Sequence, residues 1–289
     1  MNLGYACINM TLGKNVTTNR SMVKRTFESK GLDYVSELAL ANAKDILKIL
    51  VWNKNNGIKF FRLSSAIVPW GDGLDLTQLK DYDEFCNALR RAGDYAKLNG
   101  IRISSHPGPF VVLTSPHEKV VAAAIKDLEL HGKIFDLMGL SQTPYNKINI
   151  HCNGVYGDKL SAMDRFCENY HRLSDSVKKR LTVENDDKAS MYSVKDLMYI
   201  HKKIGIPIVF DYHHHIFCTG DLTEDEALKL AVSTWPNDIT PIVHYSEPRE
   251  GSKPQAHADY IKSIPNTYGI DVDIMVEAKA KELAILPFL

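Results

Sequence analysis

The sequence lacks the features of an exported, disulfide-bonded protein and carries no surplus of charge. Its five cysteines are odd in number and form no CxxC pair, which argues against a disulfide framework and favours a reducing compartment. The 35 basic residues balance 35 acidic ones, so the whole molecule has no field that would attract nucleic acid or a membrane surface. A nucleic-acid partner would need a local basic patch.

Long apolar runs and a secretion signal are missing as well. The first residues, MNLGYACINM, contain no basic segment followed by an apolar one, and no apolar run approaches the roughly 18 residues of a membrane span. We therefore expect a cytoplasmic protein, or a nuclear one if its source is eukaryotic, with no membrane partner.

The sequence does contain a regular alternation of short apolar runs and longer helical stretches, which is typical of repeated βα units. The predicted strands are Leu3–Ile8, Ile58–Leu63, Ile101–Ser104, Lys147–Ile150, Leu181–Glu184, Pro207–Phe210, Pro241–Tyr245 and Asp271–Val276. Eight units in 289 residues match the usual size of a (β/α)8 barrel. No linker divides the chain, so residues 1–289 are predicted to form one α/β domain, a single TIM barrel.

A doubly wound open sheet is the alternative fold. It would normally bring a glycine-rich phosphate loop after the first strand, and GYACINMTLG contains no GxGxxG. The barrel is therefore favoured, and it predicts a functional site at the carboxyl ends of the strands.

Imidazoles and carboxylates follow six of the eight predicted strands at that end. They are His106, His151, Glu184, Asp211, His213, His214, His215, His244 and Glu277. One histidine at a strand end is usually a hydrogen-bonded loop residue, but the combined set supplies the ligands that divalent ions use. The set predicts a metal cluster at the barrel mouth.

Glu184 is the candidate for a ligand shared by two ions, because its strand lies between the two halves of the set and a carboxylate has two oxygens. Two ions about 3.5–4 Å apart support in-line phosphoryl displacement, which points to phosphoester hydrolysis. The same ligands would also serve a sugar isomerase, so their spacing leaves the substrate open.

Longer motifs surround these residues: GYACINMTL, FRLSSAIVPW, SSHPGPFVVLTSP, INIHCNGVYGDK, LTVENDDK, VFDYHHH, VHYSEP, HADYI and MVEAKAKE. In this order they resemble the motifs of UV damage endonucleases, TIM barrels related to endonuclease IV, from near the N-terminus to Glu282. The resemblance implies a light-independent DNA repair nuclease. Such enzymes cut immediately 5′ to a cyclobutane pyrimidine dimer or a 6-4 photoproduct and leave a 3′-hydroxyl and a 5′-phosphate.

The resemblance also implies up to three divalent ions, commonly manganese, although zinc and magnesium suit parts of the ligand set. The ligands of the first ion would be His106, His151 and Glu184. Those of the second would be Glu184, Asp211, His244 and Glu277, which are also the predicted catalytic residues. Those of the third would be His214 and His257.

The sequence departs from the family pattern at three places. Members often have a histidine where this chain has Gly73, with Asp72 beside it. A glutamine and an aromatic residue that probe the damaged duplex are replaced by Pro109 and Phe110. A lysine that is modified in some members corresponds to Ile242. One metal ligand, the lesion-reading wedge and any role for a carboxylated lysine therefore stay open.

The expected partner is UV-damaged double-stranded DNA, bound by a monomer. Pro109 and Phe110 are predicted to fill the gap beside a flipped lesion as an apolar wedge; alternatively, Phe110 belongs to the core with the FVVL run. Tyr5 and Asn9 are predicted to contact the lesion or a phosphate, or else to pack at the barrel mouth.

Basic residues of the mouth loops are candidates for phosphate contacts. Arg20 follows the first strand and Lys253 follows the seventh, so both are expected at the rim. Arg62 is expected to form a buried pair near the metal ligands.

The run VFDYHHHIF leaves a choice among three histidines. Alternation along a continuing strand from Asp211 would select His213 and His215. The family motif instead pairs Asp211 with His214, three residues on, and this is the prediction. Two rival functions remain: a sugar isomerase or epimerase related to xylose isomerase, and a damage-binding protein that has lost catalysis.

Overall fold

A computed structural model describes residues 1–71, 73–251 and 253–289 of the chain. Its strands are β1 (Leu3–Ala6), β2 (Phe60–Leu63), β3 (Arg102–Ser105), β4 (Ile148–His151), β5 (Leu181–Glu184), β6 (Ile208–Asp211), β7 (Ile242–Tyr245) and β8 (Asp273–Val276). They are parallel and close into a barrel in chain order, with β1 pairing to both β2 and β8. The predicted TIM barrel is confirmed, and an open sheet is excluded.

Helices connect the strands and pack around the barrel. They are α1 (Lys24–Asn55), α2 (Tyr82–Leu98), α3 (Glu118–Met138), α4 (Lys159–Tyr170), α5 (Asp175–Lys178), α6 (Val194–Ile204), α7 (Tyr212–His215), α8 (Glu224–Val232) and α9 (Glu282–Ile285). Helix α1 is interrupted at Gly31, whose φ of 62° lies in the left-handed region that glycine adopts freely. Within the described residues, no helix is both long and apolar enough to cross a membrane.

The lumen of the barrel contains an apolar layer of buried side chains: Ala6, Phe60, Val209, Trp235, Ile242 and Met275. Because strand side chains alternate between faces, the residue two positions after a lumen residue also faces the lumen, nearer the carboxyl end. Four predicted site residues stand in that relation to this layer, namely Arg62, Asp211, His244 and Glu277. Alternation therefore stacks them above an apolar floor.

The amino end of the lumen is closed by a buried ion pair between β3 and β8. The side chain of Arg102 is 1% exposed, and its Nη1 lies 2.9 Å from Asp273 Oδ2. The same guanidinium donates to the backbone carbonyls of Tyr145 and Thr240, each at 2.7 Å. This pair ties the first residues of two strands to the loops beneath the barrel.

Candidate metal centre

The strand register brings the predicted ligands together at the carboxyl end of the barrel. His151 of β4 is directly opposite Glu184 of β5, and Asp211 of β6 is directly opposite His244 of β7. Glu277 follows the last residue of β8 and donates its backbone N–H to Tyr245 of β7. Five adjacent strands, β4 to β8, thus contribute candidate ligands at the carboxyl end of the lumen, where this fold places its chemistry.

Glu184 lies at the centre of this layer and is 1% exposed. Its Oε2 is 3.2 Å from His106 Nε2 and 3.1 Å from His244 Nδ1. Its other oxygen, Oε1, is 3.3 Å from His214 Nδ1. Oε2 therefore faces histidines from β3 and β7, on both sides of the set, and Oε1 faces the helical turn after β6.

Two neighbours fix the orientation of the Glu184 carboxylate. The side-chain amide of Asn149 donates to Oε2 of Glu184. The hydroxyl of Thr182 donates to Asn149 Oδ1 at 2.8 Å, which settles the orientation of that amide. Asn149 and Thr182 lie two positions before His151 and Glu184, respectively, so they also face the lumen from β4 and β5.

The donor set fits a divalent ion. Two triads, His106 with His151 and Glu184, and Glu184 with Asp211 and His244, each offer ligand atoms within 4.8 Å of one another. Asp211 Oδ2 is buried and has no hydrogen-bond partner among the described residues. An unpaired buried carboxylate oxygen is costly unless a cation compensates it. The two triads share only Glu184, which agrees with its predicted bridging role.

Three of the histidines have their Nδ1 atoms tied to backbone carbonyls. His106 Nδ1 lies 3.0 Å from Pro107 O, His214 Nδ1 2.9 Å from Asn185 O, and His257 Nδ1 2.9 Å from Glu277 O. When Nδ1 donates to a carbonyl, the neutral ring leaves the lone pair of Nε2 free for a metal. These contacts favour the tautomer that a ligand needs.

His244 has the opposite arrangement. Its Nε2 lies 2.9 Å from the amine of Lys147, and its Nδ1 faces Glu184 at 3.1 Å and Glu277 at 3.2 Å. Lys147 was missed from the sequence because only strand ends were considered. Alternation back from His151 through Asn149 would have placed it on the lumen face.

Burial and neighbouring charge shift the pKa values of the cluster. Burial raises the pKa of Asp211 to about 6. Burial also acts on Glu184, but the imidazoles of His244 and His151 outweigh it and hold the pKa of Glu184 well below its usual value. The shared carboxylate is thus ionised at neutral pH, which is the form that binds a cation.

A turn of helix after Asp211 places the three histidines in different surroundings. Asp211 caps α7 by accepting the backbone N–H of His214 at 2.9 Å, so the chain leaves the strand and residues three apart share a face. His214 therefore joins Asp211 in the cluster. His213 packs edge-on against Phe217, with ring centroids 5.3 Å apart, and His215 packs 5.3 Å from Phe210.

Replacing His214 by alanine is expected to remove one equivalent of bound divalent ion, because the contact of its Nδ1 with Asn185 O leaves the lone pair of Nε2 free for an ion. The measurement is the metal content of the purified protein after dialysis against manganese. His215→Ala, in the same buried helical turn, is the matched control and is expected to retain the full content. A larger loss in His213→Ala than in His214→Ala would contradict this assignment.

Gly73 and Ile242, two of the positions at which the sequence departs from the family pattern, belong to neither triad. Gly73 lines a cavity of 420 Å³ together with Lys126 and Lys133 of α3. Ile242 belongs to the apolar floor of the lumen. Asp72, considered as a substitute ligand, lies outside the described residues. His257, predicted for a third ion, has its ring centroid 6.4 Å from that of His214.

Two of the predicted DNA-contacting residues are fully buried. Tyr5 and Asn9 are both 0% exposed; the Tyr5 hydroxyl donates to Asn53 Oδ1 at 2.7 Å and accepts from Asn9 Nδ2 at 2.8 Å. The sequence could not show this, because Asn53 comes from the far end of α1. Their contact with a lesion stays a prediction.

The two predicted rim cations differ in their surroundings. The guanidinium of Arg20 donates to Asp45 Oδ2 at 2.6 Å and to the carbonyl of Thr17 at 2.6 Å, so it is engaged within the protein. Lys253 is exposed. Of the two, Lys253 is the one whose charge is available to a phosphate in this conformation.

Phe110 lies in the open at the tip of the loop after β3. It is 87% exposed, which excludes the alternative that it belongs to the core. A turn closed by the Val111 N–H to the Gly108 carbonyl at 3.1 Å carries Pro109 and Phe110 at its tip. The side chain of Asn153, from the loop after β4, donates to Val111 O at 3.1 Å and holds this turn in place.

Arg62 forms the predicted buried pair, and its partner is Glu277. Burial opposes the charge of Glu277, but the guanidinium outweighs this effect and lowers the pKa of Glu277 far below its usual value. Both residues line a cavity of 300 Å³ that is also lined by His257, Lys279 and Lys281. The two lysines were not identified from the sequence, although MVEAKAKE places them two and four positions after Glu277.

Comparisons with known proteins agree on one family. The family model described as UV-endonuclease UvdE matches residues 1–289. The UV DNA damage endonuclease of Clostridium perfringens (strain 13 / Type A) is 34% identical, covering 99% of this chain and 69% of that protein. The UV-damage endonuclease of Schizosaccharomyces pombe is 36% identical over 98% of this chain, which spans only 49% of that relative's length.

Among solved structures, one is similar to this chain in both sequence and fold, and another is similar in fold alone. The crystal structure of SacUVDE matches with a TM-score of 0.88 at 34% identity, covering 99% of this chain and 96% of that one. D-psicose 3-epimerase from Clostridium cellulolyticum H10 matches with a TM-score of 0.56 at 11% identity, covering 96% and 85% of the two chains. The second likeness is one of fold alone.

Proposed function

Because this chain belongs to the UV-endonuclease UvdE family, we propose that it nicks UV-damaged double-stranded DNA immediately 5′ to the lesion. The lesions are cyclobutane pyrimidine dimers and 6-4 photoproducts, and the products carry a 3′-hydroxyl and a 5′-phosphate. The cofactor is a cluster of two or three divalent ions, of which manganese is the first candidate.

The observation that carries this proposal is the placement of one buried carboxylate, Glu184, in two ligand triads. Divalent ions held there would lower the pKa of a water nucleophile and take up charge on the reacting phosphate. The residues of the chain bind and orient these ions: Asn149 fixes the Glu184 carboxylate, and Arg62 keeps Glu277 ionised.

The cavity beside Glu277 supports a phosphate contact at this site. Lys279 is exposed and Lys281 is half-buried, and both line the 300 Å³ opening next to His257. A chain with no net charge needs such local cations to attract a phosphate backbone. We propose that the DNA strand that is cut binds at this opening.

The turn at Pro109 and Phe110 supports the reading of the lesion. Proline at the second position of a turn restricts the backbone, and Asn153 braces the turn from the neighbouring loop. An exposed ring held in this way can enter a base stack with little loss of conformational freedom. Damaged base pairs cost the least to open, so a rigid wedge would select them.

Replacing Phe110 by alanine is expected to lower kcat/KM for a photoproduct duplex about 5- to 150-fold, the effect of losing roughly 1–3 kcal/mol of base–aromatic stacking. Thermal unfolding should not change, since the ring makes little contact with the protein. The measurement is the rate of nicking of a duplex with one cyclobutane dimer at subsaturating DNA.

Leu98→Ala is the matched control for this substitution. Leu98 is 85% exposed and ends α2 next to the amino end of β3, at the opposite side of the barrel. Its removal should leave nicking unchanged. Equal nicking by the Phe110→Ala and wild-type proteins would remove the wedge from the proposal.

The proposed function is tested with a duplex that carries one defined photoproduct and a matched undamaged duplex. With manganese present, a single nick is expected at the bond 5′ to the lesion, with a 3′-hydroxyl that a polymerase can extend. An intact damaged duplex would refute the nuclease function. Specific binding without any nick would instead support a damage-binding protein, and turnover of a ketose would support the epimerase.

A further inference from the structure

The loop after β4 carries an exposed tyrosine that has no role in the function described so far. Tyr156 is 46% exposed, and its backbone φ of 49° lies in the left-handed region, which bulky residues rarely adopt. Packing in the core does not account for this conformation, because nearly half of the residue is open to solvent. Residues held in such conformations are concentrated at binding and catalytic sites.

Two contacts fix the position of the Tyr156 ring. A side chain at Gly154 would place its Cβ 2.8 Å from Cε2 of the ring, so only glycine lets the ring lie this close to the backbone. The guanidinium of Arg165 lies 5.7 Å from the ring centroid, within the range of a cation–π contact. Arg165 is itself anchored, because its Nε donates to the Thr114 carbonyl at 2.7 Å. The ring is therefore held in place without being buried.

The loop of Tyr156 is hydrogen-bonded to the loop that carries Phe110. The hydroxyl of Thr114 donates to the carbonyl of Cys152 at 2.9 Å, in addition to the contact of Asn153 with the Phe110 turn. Strands β3 and β4 are neighbours in the barrel, so adjacent loops present both aromatic side chains at the carboxyl-end mouth. A base displaced by the wedge would meet the second ring.

We propose that Tyr156 is a second base-stacking residue: its ring stacks on a base that is displaced when Phe110 enters the damaged duplex. Every base has a π-face, so this contact tolerates any sequence around the lesion. A ring that is already held in place also loses little conformational freedom on binding. The base comes either from the damaged strand beside the lesion or from the complementary strand. The inference rests on the proposed function in requiring UV-damaged DNA as the ligand.

The first test is the rate of nicking of a duplex with one cyclobutane dimer at subsaturating DNA. Tyr156→Asn removes the ring and suits the local backbone, because asparagine adopts the left-handed conformation more readily than most residues. We expect kcat/KM to fall about 5- to 150-fold, the effect of losing one base–aromatic stack. Tyr156→Phe keeps the ring and should retain most of the wild-type rate.

Tyr268→Asn is the matched control for this substitution. Tyr268 is 38% exposed and has a φ of 52°, but its segment precedes β8, which lies opposite β4 in the closed barrel. The same change in the same backbone conformation should leave nicking unchanged there. Equal losses in Tyr156→Asn and Tyr268→Asn would assign the effect to the backbone and overturn the stacking role.

Fluorescence of a base analogue separates stacking from a merely structural role and identifies the base. 2-Aminopurine, whose fluorescence is quenched by stacking, is placed beside the dimer in one duplex and opposite it in another. The complexes are formed in the Glu184→Gln background, so that the DNA stays uncut. In one of the two duplexes the Tyr156→Asn complex should be brighter than the complex that retains Tyr156, and the Tyr156→Phe complex should stay dim. Equal fluorescence in both duplexes would overturn the stacking role.

The outcomes distinguish this inference from the proposed function. Nicking at the wild-type rate by Tyr156→Asn overturns the stacking role alone. The expected fluorescence changes, in a protein that never nicks damaged DNA, would uphold the stacking role and refute the proposed reaction. A wild-type protein that does not bind the damaged duplex overturns both.

Discussion

Glu184→Gln is expected to reduce nicking of a photoproduct duplex about 10³-fold, while DNA affinity changes little. The substitution keeps the size of the side chain and removes the negative charge that both triads share. Metal ions supply several kcal/mol of charge stabilisation in the transition state, and a loss of about 4 kcal/mol corresponds to ~10³ in rate. The measurement is single-turnover nicking at saturating protein.

Glu168→Gln is the matched control for this change. Glu168 is exposed on α4, outside the barrel, so the same chemical substitution there should leave the nicking rate unchanged. The Glu184→Gln protein must also bind the damaged duplex, which gel-shift titration measures. Nicking by Glu184→Gln at the wild-type rate would mean that the shared carboxylate is not a metal ligand of the reaction.

Arg102→Ala is expected to lower the free energy of unfolding by about 3–5 kcal/mol, the cost of breaking a buried ion pair from one side. Asp273 would keep a buried charge with fewer donors, and the carbonyls of Tyr145 and Thr240 would lose theirs. Such a loss is a large part of the stability of an ordinary domain. Equilibrium unfolding in urea measures it.

Arg172→Ala provides the comparison on the surface. Arg172 pairs with Glu118, and these side chains are 42% and 70% exposed, so solvent screens the pair and its loss should change stability little. A similar small effect for both variants would show that the buried pair of Arg102 and Asp273 contributes little to the free energy of unfolding. The double variant Arg102→Met/Asp273→Leu should recover part of the loss, because it leaves no unpaired charge.

The alternation of apolar runs was enough to predict the barrel, because each βα unit carries its own local pattern. All eight predicted strands are present, each within two residues of its predicted ends. The strand-end rule also identified the candidate ligands that meet at Glu184, since a closed parallel barrel brings every carboxyl end to one mouth.

The features that were missed depend on contacts between distant parts of the chain. The buried Tyr5 hydroxyl donates a hydrogen bond to Asn53 on α1, and Arg20 is engaged because Asp45 lies beside it. Lys147 is found only when lumen alternation is followed below the ligand layer. The choice of His214 required knowing that the chain turns into a helix at Asp211.

The most direct test of the central claim is the dependence of nicking on metal. Protein stripped with a chelator and dialysed is expected to leave a duplex with one cyclobutane dimer intact. Adding manganese should restore nicking in step with the binding of two or more equivalents per chain, and the Glu184→Gln protein should recover neither. Full nicking by protein whose metal content is below detection would contradict the account.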